Sequence, residues 1–418
     1  MATIRDAQLS LASLSIYKGV LKRTVAKAFY KLLCSLSAPP EEFGALWGEF
    51  FALLCDKGYS ENFAACLTEL ALYDDNVFSR ACASIGVEPL PDVVCAAVER
   101  DLRVLCDVAQ ITPEDIIDAY GDRARLGCLS RSLPRWKTGE RIPEFQGKPS
   151  ECMKKMAAFY KRNGCGLYAR YPAFIWRSGR LEPILNPDSV HMTSLKGYAL
   201  QQKIVIQNTA DFVEGLPANN CLLYGDRGTG KSSTVKALLH RFRGKGLRMA
   251  EIPKEALHAF PLLLEEVARS PLRFILFIDD LSFSSHDDSY TALKAVLEGG
   301  LTGRPDNALI YATSNRRHLI REIFSDRTGD ELHRSDTIHE SLSLADRFGL
   351  SVCFSAPSKH EYLDIVAAIA DDRKLTLPVK KREEEAEKWA VERGGRSPRT
   401  ARQYIDFAQA RESRLGRV

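Results

Sequence analysis

The feature that most limits what this chain can fold into is the stretch Gly225-Asp226-Arg227-Gly228-Thr229-Gly230-Lys231-Ser232. It fits the pattern G-x-x-x-x-G-K-[ST] at every position. An apolar run at 221–224 leads into it and a helical stretch at 231–241 follows. A glycine-rich turn between a strand and a helix lets backbone N–H groups approach phosphate oxygens with no Cβ in the way. The positive end of the following helix adds to the attraction. In that context Lys231 reaches the β- and γ-phosphates of a nucleotide, and the Ser232 hydroxyl binds Mg²⁺.

The surroundings of the loop support a sheet-based fold. Short apolar runs at 221–224, 247–252, 274–278, 308–313 and 351–354 alternate with amphipathic helical stretches. Their unbroken hydrophobicity predicts strands buried on both faces, hence a parallel sheet in an α/β unit. The run at 274–278 ends in Asp279-Asp280, 48 residues after Lys231. Ligands bind at the carboxyl edge of such sheets. There Asp279 is placed to hold the metal and Asp280 to orient or deprotonate an attacking water. Without the loop before it, the same acidic pair reads as a turn.

Three further features lie downstream. Asn315 ends the run Tyr311-Ala312-Thr313-Ser314, where a neutral polar tip beside the acidic strand can bond water or the γ-phosphate. An ordinary helix cap is the plainer reading of the same asparagine. Arg347, in the Asp346-Arg347-Phe348-Gly349-Leu350 turn, can project towards a neighbouring subunit's nucleotide. A surface pair with Asp346 is its bland alternative, and Arg316 and Arg317 compete for the role. Finally, Ser397-Pro398-Arg399 reads as an N-cap, a first-position proline and an arginine in the first turn. A cation there opposes the helix dipole, and a phosphate ligand explains it.

The rest of the chain organises around this segment. Residues 1–128 read as an all-helical N-terminal domain. Apolar positions such as Leu14, Tyr17, Leu21, Val25, Ala28 and Leu32 recur at helical spacing. Thr112-Pro113-Glu114-Asp115 has the chemistry of a helix start. Residues 129–187 read as a linker and junction, with Pro134, Gly139, Pro143, Gly147 and Pro149 near its start. Aromatics and arginines interleave across 157–180, a pattern that serves packing or a ligand surface. Residues 188–356 form the nucleotide-binding core, and 357–418 a small helical C-terminal region.

Composition excludes little beyond this. The 418 residues carry a net charge of +4, which neither demands nor excludes a nucleic-acid partner. Nine of the 11 cysteines lie in the first 165 residues, none in a C-x-x-C pair, and read as reduced buried thiols. No signal peptide and no apolar run of membrane-spanning length is apparent, so a cytoplasmic protein with no membrane partner is expected.

These motifs, in this order, resemble those of the AAA+ ATPases. Within them, Gly225 to Ser233, Phe277-Ile278-Asp279-Asp280-Leu281-Ser282-Phe283 and Tyr311-Ala312-Thr313-Ser314-Asn315-Arg316-Arg317-His318-Leu319 are similar to a bacterial ATP-binding group, domain of unknown function 815. The resemblance, over roughly residues 188–415, implies an AAA+ P-loop core with a five-stranded parallel sheet and a C-terminal helical lid, beside the all-helical N-terminal domain read above. It implies that Gly225, Asp226, Arg227, Gly228, Thr229, Gly230, Lys231, Ser232 and Ser233 bind ATP (Walker A). Ser232 and Asp279 then hold Mg²⁺, and Asp279 and Asp280 are Walker B. Asn315 becomes sensor 1, Arg347 the arginine finger and Arg399 sensor 2. It further implies a homo-oligomer through the core that hydrolyses Mg-ATP at subunit interfaces to remodel or assemble a partner. That partner, protein or nucleic acid, would bind the N-terminal helices. Many AAA+ proteins end Walker B in Asp-Glu. Here Asp-Asp, like the Asp346 to Leu350 stretch, resembles the replication-initiator branch and keeps open a low-turnover assembly switch or scaffold. By the same analogy Gly197, Tyr198 and Gln202 are adenine-side candidates, against a plain packing helix.

Overall fold

A computed structural model describes residues 3–84, 90–121, 126–127, 129–283, 288–298, 305–315 and 346–415. The chain divides into two compact units, Met1–Arg170 and Tyr171–Val418.

The first unit is helical. Helices α1 (Ile4–Ala12), α2 (Thr24–Cys34), α3 (Pro40–Asp56), α4 (Phe63–Leu72), α5 (Asp92–Val108) and α6 (Pro149–Asn163) carry most of its core. The apolar stripe around residues 14–33 is buried, but it does not run as one helix. A 3-10 turn at Lys18–Lys22 interrupts it, and a Cβ at Gly19 would overlap the Asp74 carboxylate. Thr112 caps the helix Pro113–Ala119 reciprocally with Asp115, as its sequence predicts.

The turn-rich stretch after residue 128 is more than a linker. Trp136 is buried in a cluster with Phe29, Phe50 and Phe63, its ring 4.9 Å from that of Phe50. The carbonyls of Lys137 and Thr138 accept the Phe63 and Ala64 N–H groups at 3.0 and 2.7 Å. They thereby satisfy donors that the first turn of α4 cannot pair within itself. Phe145, Met156 and Tyr160 fill the same core. Glycine and proline set the irregular backbone of this segment, while its aromatics hold it in place.

One buried charge organises the start of the unit. Asp101 on α5 is fully buried, and its Oδ2 accepts the N–H groups of Ser15, Ile16 and Tyr17 at 2.9, 2.8 and 3.1 Å. Asp101→Ala leaves these donors without an acceptor and should destabilise this unit by about 3 kcal/mol. The measurement is an earlier urea transition with faster amide exchange across α5. Unchanged exchange there would refute the assignment.

The second unit is built on a seven-stranded sheet rather than the five strands expected. Its strands are β1 (Ala173–Arg177), β2 (Arg180–Pro183), β3 (Cys221–Gly225), β4 (Leu247–Glu251), β5 (Arg273–Ile278), β6 (Ala308–Ser314) and β7 (Leu350–Phe354). They lie in the order β2-β1-β4-β5-β6-β3-β7. The five expected strands are consecutive and parallel in it. The addition is the hairpin β1–β2, antiparallel within itself, whose β1 pairs parallel to β4. Part of the aromatic–basic stretch thus serves as a strand, burying Phe174 and Trp176.

The central strands are buried on both faces. Helices α7 (Ala199–Val213) and α8 (Lys231–Phe242) place Val205, Phe212, Val235 and Leu238 against Leu223, Ile275, Leu309 and Val352. Leu222, Leu276 and Ile310, which alternate with those strand residues, are equally buried. After β7 the chain forms three helices, α10 (Lys359–Asp372), α11 (Val379–Glu392) and α12 (Pro398–Leu415), around Tyr362, Ile365, Tyr404 and Ile405. Helix α9 (Asp288–Glu298) lies between β5 and β6 in the chain. Among the described residues no helix is long and apolar enough to cross a membrane.

Candidate functional site

The site forms at the carboxyl ends of β3, β5 and β6. Strand β3 stops at Gly225, whose φ is +127° and where a Cβ would overlap the Phe354 carbonyl of β7. Only glycine allows the loop to leave the sheet there. Gly228 has φ +78° and lies close under Ser397 and Arg399. Gly230, at φ +92°, caps α8.

Lys231 opens α8 and is 6% exposed. Its ammonium donates to the Gly225 and Asp226 carbonyls at 2.8 and 2.7 Å and to Asn315 Oδ1 at 3.3 Å. Burial pushes its pKa below the ordinary lysine range, opposed by the carboxylates of Asp226, Asp280 and Asp279. An ammonium curled into an oxygen-lined loop is poised to exchange carbonyl oxygens for phosphate oxygens.

The two acids occupy different environments. Asp279 is half-buried, and its Oδ1 accepts from Ser232 Oγ and Thr313 Oγ1, both at 2.6 Å. A hydroxyl and a carboxylate converging in this way are hard oxygen donors, which suit Mg²⁺ with phosphate oxygens completing its shell. Asp280 is exposed, and its φ of +51° lies in the left-handed region, where aspartate is tolerated better than most residues. Its N–H donates to Thr313 Oγ1 at 2.9 Å, and its Oδ1 accepts Asn315 Nδ2 at 2.6 Å. The tips of β5 and β6 are therefore tied together by side chains, which fixes both carboxylates before any ligand arrives.

Thr313 escapes the sequence reading, although it stands within the quoted stretch before Asn315. The signal was its register: Ile278 pairs with Ala312, which sets Thr313 beside Asp279.

A cavity of about 630 Å³ unites these groups, a size suited to a nucleotide. Its walls include Arg227 to Thr234, Asp279, Asp280, Thr313 and Asn315. Arg399, at the start of α12, closes one side, and its N–H donates to the Gly228 carbonyl at 3.2 Å. The far end is walled by Ser194, Leu195, Lys196 and Ile369. There Lys196 pairs with Asp372 at 2.6 Å, and Arg402 Nη2 donates to the Ser194 carbonyl at 3.3 Å.

Of the adenine-side candidates only Gln202 lines this cavity. Gly197 lies against Ile365, and Tyr198 packs its ring 5.2 Å from that of Phe354. The sequence places an aromatic near the base but does not reveal that its hydroxyl donates to the Ser355 carbonyl instead, at 2.6 Å. Glu251, another acid at a strand end, lines a separate cavity of about 200 Å³ with Lys236.

Arg347 does not line this cavity. It sits in the turn before β7, paired at 2.5 Å with Glu298 at the end of α9. In sequence, a pair with the adjacent Asp346 is the bland alternative to the finger role. The ion pair with Glu298 depends on the fold bringing together positions far apart in the chain. Arg316 and Arg317 lie outside the described residues.

Comparison with known proteins gives a family. The one described as "Protein of unknown function (DUF815)" matches residues 169–412. No curated protein matches the chain. Among solved structures, the RuvB Holliday junction branch migration motor of Thermotoga maritima is 15% identical at a TM-score of 0.36, covering 53% of this chain and 63% of that one. A single-residue variant of the same protein gives 15% identity and a TM-score of 0.35, over 53% of this chain and 65% of that one. The chain thus spans a little under two thirds of the length of these structures.

Proposed function

We propose that this chain, which belongs to the DUF815 family, is a Mg-ATP-dependent AAA+ ATPase that works as a homo-oligomer on a macromolecular partner. The observation that carries the reading is the convergence of Lys231, Ser232, Asp279, Asp280, Thr313, Asn315 and Arg399 on one cavity. Arg227 to Ser233, which wall the cavity, and the helix behind them hold the phosphates, with Lys231 on the β- and γ-groups, while Gly225 and Asp226 shape the turn without lining the cavity. Ser232 and Asp279 hold Mg²⁺, which when bound neutralises charge on the phosphate oxygens. Asp280 accepts a proton from the attacking water, and Asn315 keeps that carboxylate in place. Water adds to the γ-phosphorus, and its bond to the bridging oxygen breaks to give ADP and phosphate. Arg399 faces the phosphates from the C-terminal helices, which act as a lid over 357–418.

In this reading Arg347 serves a neighbour's nucleotide, so hydrolysis occurs at subunit interfaces. The N-terminal helices, residues 1–128, bind the partner, the 129–187 segment leads from them into the core, and the protein works in the cytoplasm.

Asp280→Asn tests the chemistry. Mg-ATP binding should persist because Asp279 and Lys231 remain, while turnover falls by about 10²-fold or more with the loss of the proton acceptor. Calorimetry and phosphate release read the two separately. Turnover within a few-fold of the parent would remove Asp280 from the mechanism. A second reading, an ATP-dependent assembly switch with little turnover, is favoured by the short Asp280 carboxylate already engaged by Asn315. Tight Mg-ATP binding with negligible turnover at every protein concentration would select it.

A further inference from the structure

Asp226 is the second residue of the phosphate loop, yet its side chain serves a different contact. It is absent from the walls of the nucleotide cavity and lines an adjoining one of about 570 Å³ beside Ala356. Its Oδ2 accepts the Ala356 N–H at 2.6 Å, and its own N–H donates to the Phe354 carbonyl at 3.0 Å. Phe354 ends β7, and Ala356 lies in the segment that carries the chain from β7 into the C-terminal helices. Ser358, two residues beyond Ala356, is the N-cap of α10. The Ser355 carbonyl, between Phe354 and Ala356, accepts the Tyr198 hydroxyl.

The other end of the Asp226 peptide faces the ligand chemistry. Its carbonyl accepts from Lys231 Nζ at 2.7 Å and from Thr229 Oγ1 at 2.8 Å. When Lys231 turns to a phosphate oxygen, it releases that carbonyl. The hydrogen bonding of this one residue then changes while its carboxylate still grips Ala356. A carboxylate bonded to a backbone N–H is among the stronger contacts a loop can make. Residue 226 therefore joins the group that senses the phosphates to the strand–helix junction.

We infer that Asp226 is a positioning residue that couples occupancy of the phosphate loop to the C-terminal helices through its grip on Ala356. The inference rests on the reading that ATP binds in this cavity, but it does not require hydrolysis or assembly.

The test is hydrogen exchange on the full chain, with and without Mg²⁺ and saturating AMP-PNP. In the parent protein the Ala356 amide is protected, and AMP-PNP alters protection along α10. In Asp226→Ala, exchange at Ala356 should rise about ten- to hundredfold, the effect of losing a charge-assisted hydrogen bond. The AMP-PNP effect on α10 should disappear although the analogue still saturates the loop. Asp226→Asn keeps an oxygen acceptor and should restore most of both signals, a rescue that a general loosening of the loop would not give. The inference falls if Asp226→Ala keeps the AMP-PNP effect on α10, or if Asp226→Asn saturates yet behaves like the alanine variant. It falls equally if neither variant can be saturated, since Asp226 would then act on the nucleotide itself. If the parent binds no AMP-PNP, the ATP reading fails first and takes this one with it.

Discussion

Lys231→Ala is expected to lower Mg-ATP affinity by at least about a hundredfold while leaving the fold intact. The ammonium is the buried cation of the cavity, and its present partners are carbonyl and amide oxygens that a phosphate outcompetes. Two hydrogen bonds from a charged donor to phosphate oxygens contribute about 3 kcal/mol or more together, which corresponds to at least that factor in Kd. The loop does not depend on this side chain for its shape. Asp226 N–H still bonds Phe354, Thr229 Oγ1 still bonds the Asp226 carbonyl, and Arg399 N–H still bonds Gly228. Removing the lysine also relieves the desolvation that burial imposes on its charge. Thermal unfolding without nucleotide should therefore change little, while calorimetric titration with Mg-ATP should lose its signal. Unchanged affinity would mean that nucleotide, if bound, sits elsewhere than in this loop.

How far the sequence foretold this site depends on the range of the interactions involved. The loop, the acidic pair and Asn315 are legible because each is local: a strand end and the two or three residues after it. The continuous apolar runs are legible for a related reason, since strands buried on both faces leave no polar alternation. Strand β1 is not, because Phe174 and Trp176 share a five-residue run with Arg177 and read as a mixed aromatic–basic patch. Thr313 acquires its meaning only from the β5–β6 register, and Tyr198 only from β7 lying beside it. Trp136 shows the same limit in the helical unit. Its neighbours in sequence are turn residues, whereas its neighbours in space are Phe29, Phe50 and Phe63. Local chemistry is written in short strings, but the pairing of distant segments is a property of the assembled fold.

The assignment of Arg347 has the largest consequence for assembly. The guanidinium is held by Glu298 outside its own cavity, and both side chains remain partly accessible, 30% and 42% exposed. A half-exposed pair of this kind is worth about 1 kcal/mol or less, so a phosphate on a neighbouring chain can compete for the arginine. If Arg347 acts in trans, turnover per chain should rise with protein concentration as neighbours complete one another's sites. Arg347→Ala should bind Mg-ATP normally and lose about 10³-fold or more in turnover, the effect of an arginine finger in nucleotidases that use one. Mixing Arg347→Ala with Asp280→Asn provides the sharper result. Each variant lacks a different half of the shared site, so an interface between them can join an intact Asp280 to an intact Arg347. Activity should reappear on mixing, up to the fraction of interfaces that pair in the productive order. No recovery in mixtures that light scattering shows to co-assemble would exclude trans action and leave Arg347 as the ion-pair partner that secures α9 against the turn before β7.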